Sequence, residues 1–302
     1  MMPDEQIFAM RLGVLFQMMV AGLVLAPVVA EPENSAVVQP SPVDIMSMNR
    51  DIRCGQVLVT ALINGVPMRM MLDTGATHTV LHEESAARVP QAHWVDTSKM
   101  KFRGNSSQQP KLLLANLQTG PAESENHPVM VMNLGAVRSM MAEAIDGIIG
   151  MDLLGQLPFT FDMRSKECYW GIPTGGEFVP LYAAPDGKGR FIVQARCQGK
   201  PVHMLLDTGS SVTRVFTAEW TPGKGKEIGA QIGDIDSATG IKVTEGNPGD
   251  MELGPGVSVQ GVTPILCEPN DVPMLGMDGL KGAVLIHVPT AESPSGAFFL
   301  LK

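Results

Sequence analysis

Met71-Leu72-Asp73-Thr74-Gly75-Ala76 and Leu205-Leu206-Asp207-Thr208-Gly209-Ser210 are two copies of one pattern, an apolar run that ends in Asp-Thr-Gly. The surroundings repeat as well. Upstream of the first Asp, Leu58 to Ile63 and Val66 to Leu72 flank a turn at Asn64-Gly65; upstream of the second, Ile192 to Cys197 and Val202 to Leu206 flank Gln198-Gly199-Lys200. Apolar alternation on either side of a short glycine turn reads as a β-hairpin in both places. Downstream, an apolar pair runs into Gly-Met-Asp twice, at Ile148-Ile149-Gly150-Met151-Asp152 and at Met274-Leu275-Gly276-Met277-Asp278. The repeating unit is therefore a hairpin, Asp-Thr-Gly, a long β-type stretch, then apolar-apolar-Gly, and this nested agreement points to internal duplication.

These residues resemble the retropepsin-like aspartic proteases, and the resemblance runs from about Asp51 onward. It implies that each Asp-Thr-Gly loop carries a catalytic carboxylate and that each apolar-apolar-Gly segment forms a psi-shaped strand crossing beneath it. Retroviral members have one unit per chain and pair as homodimers, whereas pepsins hold two lobes in one chain; this sequence looks like a tandem of retropepsin-sized units. The fold it implies is all-β, two pseudo-symmetric retropepsin-like β-barrel lobes with an active-site cleft between them. No Tyr lies between Asp73 and Gly150, a departure from the flap tyrosine of pepsins.

Composition agrees with a β-rich, exported protein. The chain has 302 residues, 44% hydrophobic, with 32 Gly and 23 Pro, enough for two small cores with many turns. A formal charge of −9 with no basic patch argues against nucleic-acid partners. Gly223-Lys224-Gly225-Lys226 lacks the glycine spacing and the Ser or Thr of a phosphate loop. Arg11 precedes an apolar run from Leu12 to Val29, and Val28-Val29-Ala30 fits a small-residue cleavage site. Residues 1–30 thus read as a signal peptide, or else an N-terminal membrane anchor, which places the rest in a periplasmic or secreted setting. Residues 31–50, rich in Pro and Ser, read as a flexible lead-in, 51–170 as the first lobe, 171–189 as a Gly/Pro linker and 190–302 as the second lobe. The four cysteines, Cys54, Cys168, Cys197 and Cys267, allow two disulfides; pairing within each unit (54 with 168, 197 with 267) competes with isolated buried thiols.

Peptide hydrolysis needs water activated while the leaving amine is protonated, and two adjacent carboxylates do both because they resist being charged together. Asp73 and Asp207 are the candidate catalytic pair. Gly75 and Gly209 let the backbone turn tightly beside them, where a Cβ would obstruct; Thr74 and Thr208, by the resemblance, lock the two loops together. Beside Asp207, Ser210 offers a hydroxyl that Ala76 lacks. Donated to Asp207, it would favour the charged form there and leave the shared proton more on Asp73. Asp152 and Asp278 read as helix-start or surface carboxylates rather than catalysts.

Competing chemistries find less support. His78 and His82 have a metal-like spacing, but it serves a ligand pair only on a helix, and this stretch reads as strand. No Gly-x-Ser-x-Gly elbow or nucleophilic cysteine signature is present, and no metal or cofactor is expected. Flaps are expected at Lys99 to Leu114, with Gly104-Asn105 at the tip, and around Asp236 to Val243, with Thr239-Gly240 at the turn. The expected function is an aspartic endopeptidase acting on peptide or protein substrates as a monomeric pseudo-dimer. The alternative is a catalytically silent peptide-binding or assembly protein on the same fold; pairing of units between chains would keep the chemistry and change the assembly.

Overall fold

The computed structural model describes residues 42–43, 55–97, 110–141, 144–181, 183–185, 190–197, 199–220, 225–233, 238–267, 272–290 and 293–302. The expected signal or anchor, Cys54, most of the first flap and its Gly104-Asn105 tip lie outside these.

A two-residue strand β1 (Pro42–Val43) precedes the first lobe. That lobe holds β2 (Leu58–Ile63), β3 (Val66–Leu72), β4 (Val80–His82), α1 (Glu83–Ala86), β5 (His93–Val95), β6 (Lys111–Thr119), β7 (Ala122–Met132), α2 (Gly135–Met140), β8 (Gly147–Ile149) and α3 (Met151–Leu154). Three strands follow, β9 (Phe159–Asp162), β10 (Glu167–Trp170) and β11 (Phe178–Leu181). The second lobe holds β12 (Ala183–Pro185), β13 (Phe191–Cys197), β14 (Lys200–Leu206), β15 (Arg214–Phe216), β16 (Lys226–Gly233), β17 (Ala238–Glu245), β18 (Gly249–Gly254), β19 (Val257–Val262), β20 (Ile265–Cys267), β21 (Met274–Leu275) and a 3-10 turn at Met277–Leu280. Two last strands, β22 (Val284–Thr290) and β23 (Ser293–Leu301), return to the middle of the molecule. The fold is all-β with two lobes, as expected.

The β2–β3 hairpin turns where the sequence says it should. Asn64 and Gly65 both take positive φ, 47° and 79°, as a two-residue turn matched to strand twist requires. In β2, Val59, Ala61 and Ile63 are buried between exposed Thr60 and Leu62, which puts one face of the hairpin on the core. The first lobe's strands run in the order β2-β3-β8-β4-β7-β6, and β6 pairs back onto β2, closing a six-strand barrel with β5 appended. The second lobe repeats the plan with its long hairpin broken: β13 and β14 match β2 and β3, β21 and β15 match β8 and β4, and β13 pairs with β18. Where the first lobe has two long strands, β6 and β7, the second has β17 then β18, and β19 then β20. Pro248 and Pro264 stand at the two breaks, where the missing N–H interrupts a ladder.

The ends of both units build one six-stranded sheet, in the order β1-β10-β9-β22-β23-β11. At its middle β9 meets β22 antiparallel, Phe161 opposite Leu285 and Phe159 opposite His287. The His287 ring stacks on Phe159 at 4.8 Å and 17°, and Phe298 packs edge-on to Phe191 at 4.6 Å. The segment 171–189, expected as linker, supplies β11 to this sheet and β12 to the second lobe. One continuous apolar core runs through both lobes, and a smaller second cluster in the first lobe gathers Leu58, Met71, Ala76, Val80, Met130 and Ile148.

Cys168, Cys197 and Cys267 are buried thiols outside any disulfide, so neither intra-unit bridge forms. Burial away from water raises both Cys168 and Cys197, the latter to about 12, and a thiol held protonated is a poor nucleophile.

Candidate active site

Each Asp-Thr-Gly loop leaves the end of a short parallel ladder. Leu72 of β3 pairs with Ile149 of β8, Leu206 of β14 with Leu275 of β21, and the next N–H in each case, Asp73 or Asp207, donates to the carbonyl of Ile149 or Leu275 at 3.0 Å. The Gly-Met step then closes beneath the loop: Met151 N–H donates to Ala76 O and Met277 N–H to Ser210 O, both at 2.9 Å. Glycine is needed at the crossing because a Cβ on Gly276 would lie 2.4 Å from Val212 O, and one on Gly150 2.7 Å from the His78 carbonyl.

Thr74 and Thr208, 134 residues apart in sequence, bind each other reciprocally. Each backbone N–H donates to the other's hydroxyl oxygen at 3.1 Å. Each hydroxyl in turn donates into the opposite loop, Thr74 to Leu206 O and Thr208 to Leu72 O, both at 3.0 Å. Four buried hydrogen bonds thus tie the loops across a local twofold axis, and the carboxyls follow. Asp73 Oδ1 accepts from the N–H groups of Gly75 at 2.7 Å and Ala76 at 3.2 Å; Asp207 Oδ1 accepts from Ser210 N–H at 3.0 Å. A Cβ on Gly75 would come 2.7 Å from the Asp207 carboxyl carbon, and one on Gly209 2.5 Å from that of Asp73. Each carboxyl therefore rests on the other loop's glycine, which is how two Asp 2% and 0% exposed come together.

The surroundings distinguish the two acids. Burial raises Asp73 above the ordinary carboxylate value, and the Gly75 N–H, the Asp207 carboxyl and the N–H groups of Ala76 and Gly209 oppose the rise. Burial, then the charge of Asp73, push Asp207 well above that value; Arg214 and the Ser210 N–H oppose the rise without cancelling it. Asp207 Oδ2 meets no hydrogen-bond donor. With two N–H donors on Asp73 and one on Asp207, the donors favour the charge on Asp73 and the proton on Asp207, opposite in direction to the expectation from the Ser210 hydroxyl. The reason is the direction of one hydroxyl: Ser210 Oγ–H donates to Val212 O at 2.9 Å, away from Asp207. What Ser210 gives the carboxyl is its N–H, as Ala76 does in the other loop.

Asp152 and Asp278 are structural. Asp152 opens α3 and accepts from Thr79 through both N–H (2.8 Å) and hydroxyl (2.9 Å), and Asp278 accepts the hydroxyl of Thr213 at 2.5 Å. Each threonine oxygen lies near the crossing glycine's N–H, at 3.4 Å from Gly150 and 3.2 Å from Gly276. Sequence reasoning noticed the acids but missed their partners; a Thr six residues after the Asp of each Asp-Thr-Gly was the available signal. His127 Nε2 also reaches Asp152 Oδ2 at 2.9 Å, with its Nδ1 3.0 Å from Ser124 Oγ.

Among the described residues no His, Cys, Asp and Glu group is arranged to hold a metal. His78 Nδ1 lies 2.8 Å from Thr77 Oγ1, and His82 Nδ1 accepts the Leu134 N–H at 2.9 Å. Thr239 and Gly240, expected at a flap turn, sit inside β17 opposite Ile232 and Gln231 and not at a turn. The hairpin of the second lobe reaches α2 of the first.

Both loops, their crossings and the threonine tie describe an Asp-Thr-Gly carboxyl pair. Residues 59–153 match the aspartyl protease family model. The aspartyl protease match spans the first hairpin, the Asp73 loop and the crossing at Gly150, and stops inside α3. The second copy of these features stands on the geometry above. A search of the curated proteins returned no match.

Proposed function

We propose that this protein is a single-chain aspartic endopeptidase, a tandem of two retropepsin-like units that hydrolyses peptide bonds with water activated between Asp73 and Asp207. The reciprocal seating of each carboxyl on the other loop's glycine carries this reading, because it unites two acids from separate lobes in a buried site. Asp73, whose ionised form its N–H donors favour, takes a proton from the attacking water. Asp207, protonated, donates toward the scissile carbonyl oxygen and stabilises charge developing there. The tetrahedral intermediate collapses as a proton passes to the departing amine, and the water's oxygen ends in the new carboxyl group. A peptide-binding module gains nothing from two buried like charges, whose desolvation only costs stability. Residues 1–30 complete the proposal as an export signal or anchor that delivers the lobes outside the cytoplasm.

The test is turnover of a diverse peptide library by the wild type, Asp73→Asn and Asp207→Asn. Each amide is nearly isosteric and cannot exchange the shared proton, so kcat/KM should fall by about a thousandfold or more in either variant. Near-native turnover in one of them would sink the dyad. No cleavage by the folded wild type across acidic and neutral pH would favour a silent binding role.

A further inference from the structure

We infer that Arg214 sets the alkaline limit of the range over which the two-aspartate site works. The inference rests on the endopeptidase reading for its effect on turnover and on the geometry of β15 for its cause.

The lobes share the Asp-Thr-Gly loop and the bracing threonine, but in the strand that follows Arg214 stands where the first lobe has Val80. Arg214 pairs in β15 with Ile265 on one side and Met274 on the other. Val80 in β4 pairs with Met130 and Ile148 in the same parallel and antiparallel senses. The next residue in each strand, Leu81 or Val215, points into the main core, so strand alternation turns Val80 and Arg214 to the other face. In the first lobe that face is apolar, with Val80 packed in the cluster that includes Ala76 beside Asp73. In the second it holds a guanidinium, 7% exposed and charged at every working pH.

The charged groups around it come from each neighbouring element. Asp207 ends β14, and Asp73 faces Asp207 across the axis. Glu245 of β17 lies in register with Arg214 through Ile265 of β20, and Asp278 of the 3-10 turn accepts from Thr213 next to it. Ile265 and Met274 bring no charge. Within this set the cation favours ionised Asp207, against burial and the charge of Asp73. Singly protonated enzyme ends when Asp207 loses its proton, so Arg214 brings that end to lower pH. The ionised form of Asp73, which sets the acidic limb, is favoured by N–H donors and the Asp207 carboxyl instead. One buried arginine thereby narrows the working range on its alkaline side.

The experiment compares wild type, Arg214→Met and Arg214→Lys in pH profiles of kcat/KM, together with 13C-carboxyl NMR titration of Asp207. Removing the charge should move the alkaline limb and the Asp207 titration upward by about one pH unit, leaving the acidic limb in place; lysine should restore both toward wild type. If the methionine variant does not fold, Arg214→Gln serves as the neutral arm. An unmoved Asp207 titration in the folded neutral variant overturns the inference. So does a variant with both limbs fixed but an altered preference for acidic over amide peptides, since Arg214 would then contact substrate. A wild type that cleaves nothing defeats the endopeptidase reading alone, because the titration still decides Arg214.

Discussion

At the scale of single residues, Asp207 stores the largest electrostatic imbalance in the site. Burial and the charge of Asp73 raise the Asp207 carboxyl well above the ordinary carboxylate value of the unfolded chain, so the folded state binds a proton there more tightly. The stabilisation from that proton is complete below the unfolded value and is lost as pH rises toward the raised folded value. Asp207→Asn has no such loss. The variant should match wild type near pH 3 and exceed it at pH 7, by about 1.4 kcal/mol for each unit of upward shift. Urea midpoints at the two pH values check this, and a neutral-pH variant no more stable than wild type would mean Asp207 is not held protonated. The identity of both acids was legible in sequence because Asp-Thr-Gly is a local pattern. Their protonation order was not: it depends on whether the Ser210 hydroxyl finds Val212 O or a carboxylate, which the turn decides.

At the scale of elements, the hairpins and the apolar-apolar-Gly crossings were also legible, since turn residues and strand alternation fix them within a dozen positions. The contacts that brace the crossings were harder to see, because Thr79 and Asp152 meet only after β8 has returned to β4. Asp152 accepts from Thr79 and the Leu153 N–H and meets His127, and Asp278 accepts from Thr213 and the Gly279 N–H. His127 joins β7 to the start of α3 through a buried contact, and buried hydrogen bonds to a charged group are costly to leave unmade. His127→Leu should therefore lower stability by about 1–3 kcal/mol, read as a shifted denaturant midpoint at unchanged slope. A midpoint equal to wild type would show that Thr79 and the Leu153 N–H hold Asp152 without His127.

At the scale of the molecule, the sequence showed two units but not how they join. Their union depends on a sheet whose central pairing, Phe159 with His287, lies between residues far apart in the chain and carries no local signature. In that sheet β9 and β10 belong to the first unit and β22 and β23 to the second, so each unit finds its partner within its own chain. The threonine tie repeats the arrangement at the dyad, with Thr74 and Thr208 serving each other. A chain that works in this arrangement would have both acids together at any concentration, whereas units that paired between chains would need association. Mixing Asp73→Asn with Asp207→Asn chains separates the two assemblies. Exchange between chains would reunite an intact Asp73 with an intact Asp207 in some pairs and restore part of the hydrolysis. The intramolecular arrangement expects none, even after the mixture is unfolded and refolded together at low protein concentration, and it expects wild-type specific activity to stay constant on dilution. Recovered activity in the mixture, or a specific activity that falls with dilution, would assign the working site to two chains.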